Sequence, residues 1–315
     1  MNPFSAIYSG ITNLRNSLYD RGTLRAMSLR SPVISIGNLS VGGSGKTPFV
    51  IAIGELLQSH GIAVDVLSRG YRRKSHGILQ VDPAGSSEQY GDEPLLIARK
   101  LHCPVIVGSN RYQAGTWAEE RGGPRVHLLD DGFQHRRLTR DFDIVLLNPE
   151  DLTDSVVPGG RLREDLNALR RADAVVLSEG MKSADLLTPV KNIWYVRRRL
   201  SLPSVPGPVI AFAGVARPQR FFDELLQAGI DLKEQVRFRD HYRYHASDVR
   251  HLLRLRKRKG AAGFITTEKD AMNLGPHLKV LDPIVVPLKL ELLAPEEAFT
   301  VLSKVINRRG GSASP

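Results

Sequence analysis

The stretch Ser35-Ile36-Gly37-Asn38-Leu39-Ser40-Val41-Gly42-Gly43-Ser44-Gly45-Lys46-Thr47-Pro48 joins an apolar strand pattern to a helical one through a loop rich in glycine. Gly42, Gly43 and Gly45 permit backbone conformations that turn successive N–H groups inward, around an anion. Lys46 offers a point charge to β- and γ-phosphates, and the Thr47 hydroxyl can ligate Mg²⁺. Pro48 falls in the first helical turn, where its missing N–H costs nothing, and the helix that follows directs its positive end at the anion. The usual pattern G-x-x-x-x-G-K-[ST] has glycine where this chain has Ser40. The spacing predicts a phosphate-binding loop running from Ser40 through Val41, Gly42, Gly43, Ser44, Gly45 and Lys46 to Thr47.

Outward from that loop, apolar strand patterns at 33–36, 63–67, 105–107, 126–129, 144–147, 174–177 and 193–196 alternate with helical patterns at 48–59, 93–100, 111–119 and 163–171. Such alternation predicts an α/β fold: a P-loop kinase domain built on a mostly parallel sheet. Residues 201–208 (SLPSVPGP) read as a linker. A second βα series then follows at 209–213, 218–228, 235–239, 247–257, 264–267 and 284–288. The expected division is an N-terminal helix over 1–30, the kinase domain over 31–204 and a smaller C-terminal α/β domain over 205–315, with the active site in the cleft between domains.

The run Val126-His127-Leu128-Leu129-Asp130-Asp131 is a strand ending in two carboxylates, the arrangement that holds Mg²⁺ beside a phosphate loop. A guanine-reading Asn/Thr-Lys-x-Asp signature is missing, since Thr267-Glu268-Lys269-Asp270 has the wrong spacing. ATP is therefore the expected nucleotide. Asp92, just before Glu93-Pro94, reads from the residues alone as a helix N-cap.

The 315 residues carry a formal charge of +11 and a pI near 9.9, which calls for an acidic partner: a phosphorylated substrate, an anionic membrane or nucleic acid. The basic run RLRKRK over 254–259 lacks aromatic residues or a reading motif beside it, so no nucleic acid is expected. A single cysteine, Cys103, excludes an intramolecular disulfide and a Cys-based zinc site. No apolar run reaches the length of a membrane span, and no signal peptide is expected. Phe4, Ile7, Tyr8, Ile11, Leu14 and Leu18 nevertheless recur at helical spacing, near Arg15, Arg21, Arg25 and Arg30. That pattern suits either a helix lying in a headgroup layer or one packed on its own domain.

Several separated runs together resemble the lipid A disaccharide 4′-kinase (tetraacyldisaccharide 4′-kinase) family of Gram-negative bacteria. They are the phosphate loop with its Ser40 form, Leu67-Ser68-Arg69-Gly70-Tyr71, Tyr90-Gly91-Asp92-Glu93-Pro94, Asn110-Arg111, Leu129-Asp130-Asp131-Gly132-Phe133-Gln134-His135 and Pro158-Gly159-Gly160-Arg161-Leu162-Arg163-Glu164. Phe212-Ala213-Gly214-Val215-Ala216-Arg217-Pro218, Asp240-His241 and Thr266-Thr267-Glu268-Lys269-Asp270 continue them in the second domain. The resemblance implies transfer of the γ-phosphoryl of ATP to the 4′-hydroxyl of a tetraacylated glucosamine disaccharide 1-phosphate, giving lipid IV A. It also implies work on the cytoplasmic face of the inner membrane; because this sequence departs from relatives that begin with a longer apolar segment, interfacial attachment to an anionic surface is the expectation here. By the same resemblance Asp92 is the general base assisted by His241, and Asp130 and Asp131 are the Mg²⁺ and active-site carboxylates. Arg163 and Glu164 lie near the nucleotide, and Asn38, Arg69, Tyr71 and Arg111 are acceptor or phosphate contacts.

Overall fold

The computed structural model describes residues 3–43, 45–186 and 188–310. The first half of the chain runs α1 (Pro3–Asp20), β1 (Val33–Asn38), α2 (Lys46–Ser59), β2 (Val64–Ser68), β3 (Leu79–Gln80), α3 (Ser87–Tyr90), α4 (Asp92–Leu101), β4 (Val105–Val107), α5 (Arg111–Arg121), β5 (Val126–Asp130), β6 (Phe142–Leu147), β7 (Ala174–Ser178) and β8 (Asn192–Leu200). Then come β9 (Val209–Ala213), α6 (Pro218–Gln227), β10 (Leu232–Arg237), α7 (Ala246–Lys259), β11 (Gly263–Thr267), α8 (Glu268–Leu274), α9 (Leu278–Leu281), β12 (Ile284–Val286), β13 (Leu288–Leu292) and α10 (Pro295–Gly310).

These strands form a nine-stranded sheet of order β13-β8-β7-β6-β1-β5-β2-β4-β3 and a four-stranded one of order β10-β9-β11-β12. In the larger sheet only the edge pairs β3·β4 and β13·β8 are antiparallel. The central β1 lies between β5 and β6, parallel to both, and all six of its residues are buried. Strand order reverses around it, so its carboxyl end opens into the crevice where such sheets bind ligands. The helix after the loop is held down by Phe49, Val50, Ile53 and Leu57, all fully buried among Ile34, Ile36 and their neighbours. Each such side chain contributes about 1.5–3 kcal/mol of transfer free energy.

Three features differ from the pattern read in the sequence. The strand expected over 284–288 is two strands: β12 completes the smaller sheet, and β13 crosses to pair with β8 of the larger one. Pro287, between them, has no N–H with which to continue a ladder. With β13 goes α10, whose Ala298 and Leu302 are buried in the larger core, so the smaller sheet draws only on residues 209–286. The helix expected over 163–171 is a 3₁₀ turn, Leu166–Arg171, that starts late because Asp165 accepts from the Asn167 N–H at 2.9 Å. Arg163 and Glu164 are thereby left outside it.

The N-terminal helix forms, but it packs on its polar side. Ser5 and Asn16 are buried, while Phe4, Ile7, Ile11 and Leu14 are 61–68% exposed.

Candidate active site

A cavity of about 900 Å³ lies between the two sheets. Its floor is the phosphate loop, from which Val41, Gly42, Gly43, Gly45, Lys46 and Thr47 line the space; Ser44 lies outside the described residues. Gly42, Gly43 and Gly45 have φ of 74°, 60° and 85°, the left-handed region that favours glycine. The smaller unit presses on this loop: a Cβ on Gly42 would stand 2.9 Å from Ala216 Cβ. Ser40 is buried and turned inward, where Asn38 donates to its carbonyl at 2.6 Å. A bridge to Leu162 and the Arg163 N–H on Leu39 O, 2.6 Å, tie the loop to the 161–164 segment. Neither Asn38 nor Ser40 lines the cavity.

The charged groups above the loop form a chain. Lys46 Nζ donates to Asn38 Oδ1 at 2.9 Å and lies 3.4 Å from Asp131. Arg163 Nη1 donates to both oxygens of Asp131, at 3.0 and 2.9 Å. Burial works against ionisation of Asp131, yet the Lys46 and Arg163 charges hold its carboxyl at about 2. Asp130, at the end of β5 and in register with Ile36 of β1, behaves oppositely. Burial, with the Glu93 and Asp131 charges added, pushes it up to about 7. Its Oδ2 accepts from Ser68 Oγ at 2.9 Å, while Oδ1 is buried with no hydrogen-bond partner. An orphaned carboxylate oxygen beside a cavity that Thr47 also lines is the donor set a hard cation takes.

Across the cavity, His241 Nδ1 is 2.8 Å from Asp92 Oδ2, and Asn273 donates to the same oxygen at 3.4 Å. Burial would raise the Asp92 carboxyl, but the hydrogen bond from His241 and the Lys269 charge bring it down to about 2. Burial would lower His241, and its bond to Asp92 raises it instead. Asp92 is not a helix cap. The cap of α4 is Gly91, with φ 92°, and Asp92 sits inside the first turn. His241 lines the cavity and Asp92 lies directly behind it. The histidine, itself at φ 55°, is held from the other unit by Arg72, which donates to the carbonyls of Asp240 and His241 at 2.8 and 3.3 Å.

Of the remaining sequence candidates, Arg69 and Tyr71 line the cavity, and the Tyr71 ring meets His241 edge-on at 5.4 Å. Arg111 is buried at the start of α5, outside the cavity, with its Nη1 on Ser109 O at 3.0 Å. Glu164 also lies outside it: the carboxylate is buried against Asn16 and Arg171, at 2.7 and 2.8 Å. Sequence reasoning passed over Glu93, Lys269 and Asn273. Lys269 pairs with Glu93 where the first turns of α4 and α8 meet, and Lys269 and Asn273 both steady Asp92. The available signal was the acid–base pattern of Asp92-Glu93 and Glu268-Lys269, residues far apart in the chain.

Ile51, Ala52, Leu96, Val286, Leu288 and Leu290 add an apolar wall to the cavity, Leu290 packing close against Gly45 of the loop. A polar end with Lys46 and a helix N-terminus, joined to an apolar slot, accommodates a nucleoside triphosphate.

A sequence profile for Tetraacyldisaccharide-1-P 4′-kinase matches residues 1–307. The chain is 46% identical over 322 residues to the tetraacyldisaccharide 4′-kinase of Koribacter versatilis, covering 99% of this chain and 100% of that one. It is 44% identical over 259 residues to the enzyme of that name from Aquifex aeolicus, covering 77% and 82%. A crystal structure of the Aquifex aeolicus protein, described as the "apo" form of LpxK in complex with ATP, superposes with a TM-score of 0.77 at 37% identity, over 96% of this chain and 98% of that one.

Proposed function

The chain belongs to the tetraacyldisaccharide-1-P 4′-kinase family, and from that premise we propose how its own residues carry the reaction. It is a kinase of lipid A biosynthesis that phosphorylates the 4′-hydroxyl of a tetraacyldisaccharide 1-phosphate with ATP; the product is lipid IV A. The observation that carries the reading is the convergence on one cavity of two sets of groups. One is the Lys46–Asp131–Arg163 chain with Asp130, and the other is the Asp92–His241 pair.

Phosphoryl transfer demands charge neutralisation, in-line positioning and a proton acceptor. The loop amides and the N-terminus of α2 bind the phosphates, with Lys46 turning from Asp131 to the β/γ oxygens. Arg163 is freed in the same exchange to meet the transferring group, for which its forked donors suit phosphate. Thr47 and the orphaned Asp130 oxygen would hold Mg²⁺, a cation that takes few protein oxygens. When bound, the ion neutralises charge shared between β- and γ-phosphates. The 4′-hydroxyl approaches past Arg69 and Tyr71 and gives its proton to the Asp92–His241 pair. The ionised carboxylate accepts from Nδ1–H, which leaves Nε2 as the acceptor on the cavity side.

The surface supports a membrane-borne acceptor. Among the described residues no helix is long and apolar enough to cross a membrane. The outward face of α1, flanked by exposed Arg15, Arg21 and Arg25, suits an anionic headgroup layer, on the cytoplasmic side of the inner membrane where ATP is present.

The test is mass spectrometry of a disaccharide 1-phosphate acceptor incubated with the protein, ATP and Mg²⁺. A gain of one phosphate, located at the 4′ position by fragmentation, is expected. ATP hydrolysis with an unmodified acceptor would overturn the reading.

A further inference from the structure

The helix α1 does more than present an apolar face. Its polar side enters the two loops that flank the phosphate site. Ser5 Oγ donates to Val156 O at 2.8 Å and accepts from the Gly159 N–H at 3.0 Å. Asn16 Nδ2 donates to Glu164 Oε2 at 2.7 Å, and both residues are buried, 7% and 4% exposed. The carbonyl of Asn16 accepts from Arg136 at 3.0 Å, and Arg136 also pairs with Asp20.

The Asn16 contacts lead by short routes to groups of the phosphate site. Glu164 adjoins Arg163, whose guanidinium grips Asp131, which in turn lies against Lys46. Arg136 is two residues from Gln134, which accepts from Arg163 at 3.3 Å and donates to Asn38 O at 3.0 Å. Asn38 holds Lys46. A buried carboxylate is costly unless its oxygens are satisfied. Among the described residues Glu164 bonds Asn16 and Arg171, both through Oε2, and its Oε1 is buried without a partner. Asn16 shares Oε2 with the Arg171 guanidinium, so losing the Asn16 amide leaves the buried carboxylate tied to Arg171 alone and free to follow it.

We propose that α1 is a positioning element of the phosphate site: Asn16, acting through Glu164, sets the place of Arg163 and thereby of Asp131 and Lys46. The inference rests on the kinase reading of this cavity, and makes Asn16 and Glu164 positioning residues, neither of which touches substrate. It couples seating of the interfacial helix to readiness of the site, because the same helix carries the lipid-facing side chains and the amide that steadies the loop.

The experiment compares the full chain with Asn16→Leu, which keeps the shape of the side chain and removes its donor. The acceptor is dispersed in detergent, so that recruitment to a surface plays no part. Displacements of about 1 Å in a catalytic array cost up to ~10²-fold, and kcat is expected to fall about tenfold. KM for the acceptor and partitioning onto anionic vesicles should hold, because Ile7, Ile11 and Leu14 are untouched. A kcat equal to that of the full chain overturns the proposal, as does a loss of rate confined to vesicle-presented acceptor. Asn16→Asp sets a carboxylate against Glu164 and should be worse. The exchange pair Asn16→Asp with Glu164→Gln restores one charge and one amide and should recover most of the rate, even if Asn16→Leu disturbs folding. Failure of that recovery also counts against the relay. Lys46→Ala assayed alongside separates the two readings: its inactivity beside a fully active Asn16→Leu protein sinks only the relay.

Discussion

Replacing Asp92 by Asn keeps the size of the side chain and removes its charge from beside His241. The fall of the carboxyl from its ordinary 3.8 to about 2 measures how strongly the surroundings favour the ionised form, on the order of 2 kcal/mol. That favour comes chiefly from His241 and Lys269, against the opposing pull of burial. Once the charge is gone, burial and Lys269 both lower His241, opposed by the Asp240 carboxylate 3.8 Å from Nε2. Its titration midpoint, followed by NMR, should therefore fall in Asp92→Asn relative to the parent. A hydroxyl attacking phosphorus then meets an imidazole without its carboxylate, and the loss of general-base assistance should lower kcat by about 10²–10⁴-fold. Affinity for ATP should barely change, since Lys46 and the loop amides lie apart from the pair. His241→Ala should also lower kcat, and the double variant should be little worse than Asp92→Asn, because the two residues act as one unit. The assay is single-turnover phosphorylation of a detergent-dispersed acceptor at saturating ATP. Normal kcat in Asp92→Asn, or losses that add fully in the double variant, would refute the pairing.

Lys46→Ala and Thr47→Ala should each cut phosphoryl transfer by orders of magnitude, through loss of the phosphate charge and of a cation ligand; near-normal turnover in either would remove this loop from the chemistry. Asp130 is raised to about 7, so below that pH the binding of Mg²⁺ with nucleotide should release a proton. Calorimetry in buffers of different ionisation enthalpy should show the release in the parent and none in Asp130→Asn. The same raised value means that Asp130 favours the fold below the ordinary carboxylate range and that this contribution is lost as pH rises through about 7. The nucleotide-free Asp130→Asn protein should therefore melt higher than the parent at pH 8 while being inactive, and a lower melting temperature would contradict the buried-charge reading. Asp92 and Asp131 run the other way: their stabilisation is present above 3.8 and fades as pH falls toward about 2, which acid denaturation of the Asn variants would register as a flatter profile. Ile7→Ser with Ile11→Ser and Leu14→Ser should release the protein from anionic vesicles with little change in stability, since these side chains are exposed; unchanged partitioning would exclude this face as the attachment.

Local chemistry made the phosphate loop legible before any coordinates. Glycines at 42, 43 and 45, a lysine and a hydroxyl at fixed offsets, and a proline opening a helix each constrain the backbone within a few residues. Strands such as β4 and β7 also declared themselves, because a strand buried on both faces is mostly apolar, as Val105–Val107 and Ala174–Leu177 are. Tertiary structure decided what depended on partners distant in sequence. The departure of β13 and α10 to the larger sheet is a matter of pairing with β8, 88 positions away at the Leu288–Leu200 contact. The inward turn of the polar side of α1 depends on a buried Glu164 that periodicity cannot see. The placing of Asp92 against His241, 149 residues apart, and the opposite fates of the adjacent Asp130 and Asp131, follow from which charges the fold sets within a few ångströms of each. Neighbouring residues of one type differ in chemistry because burial and the nearest charge belong to the packed molecule, and neither is a property of the residue itself.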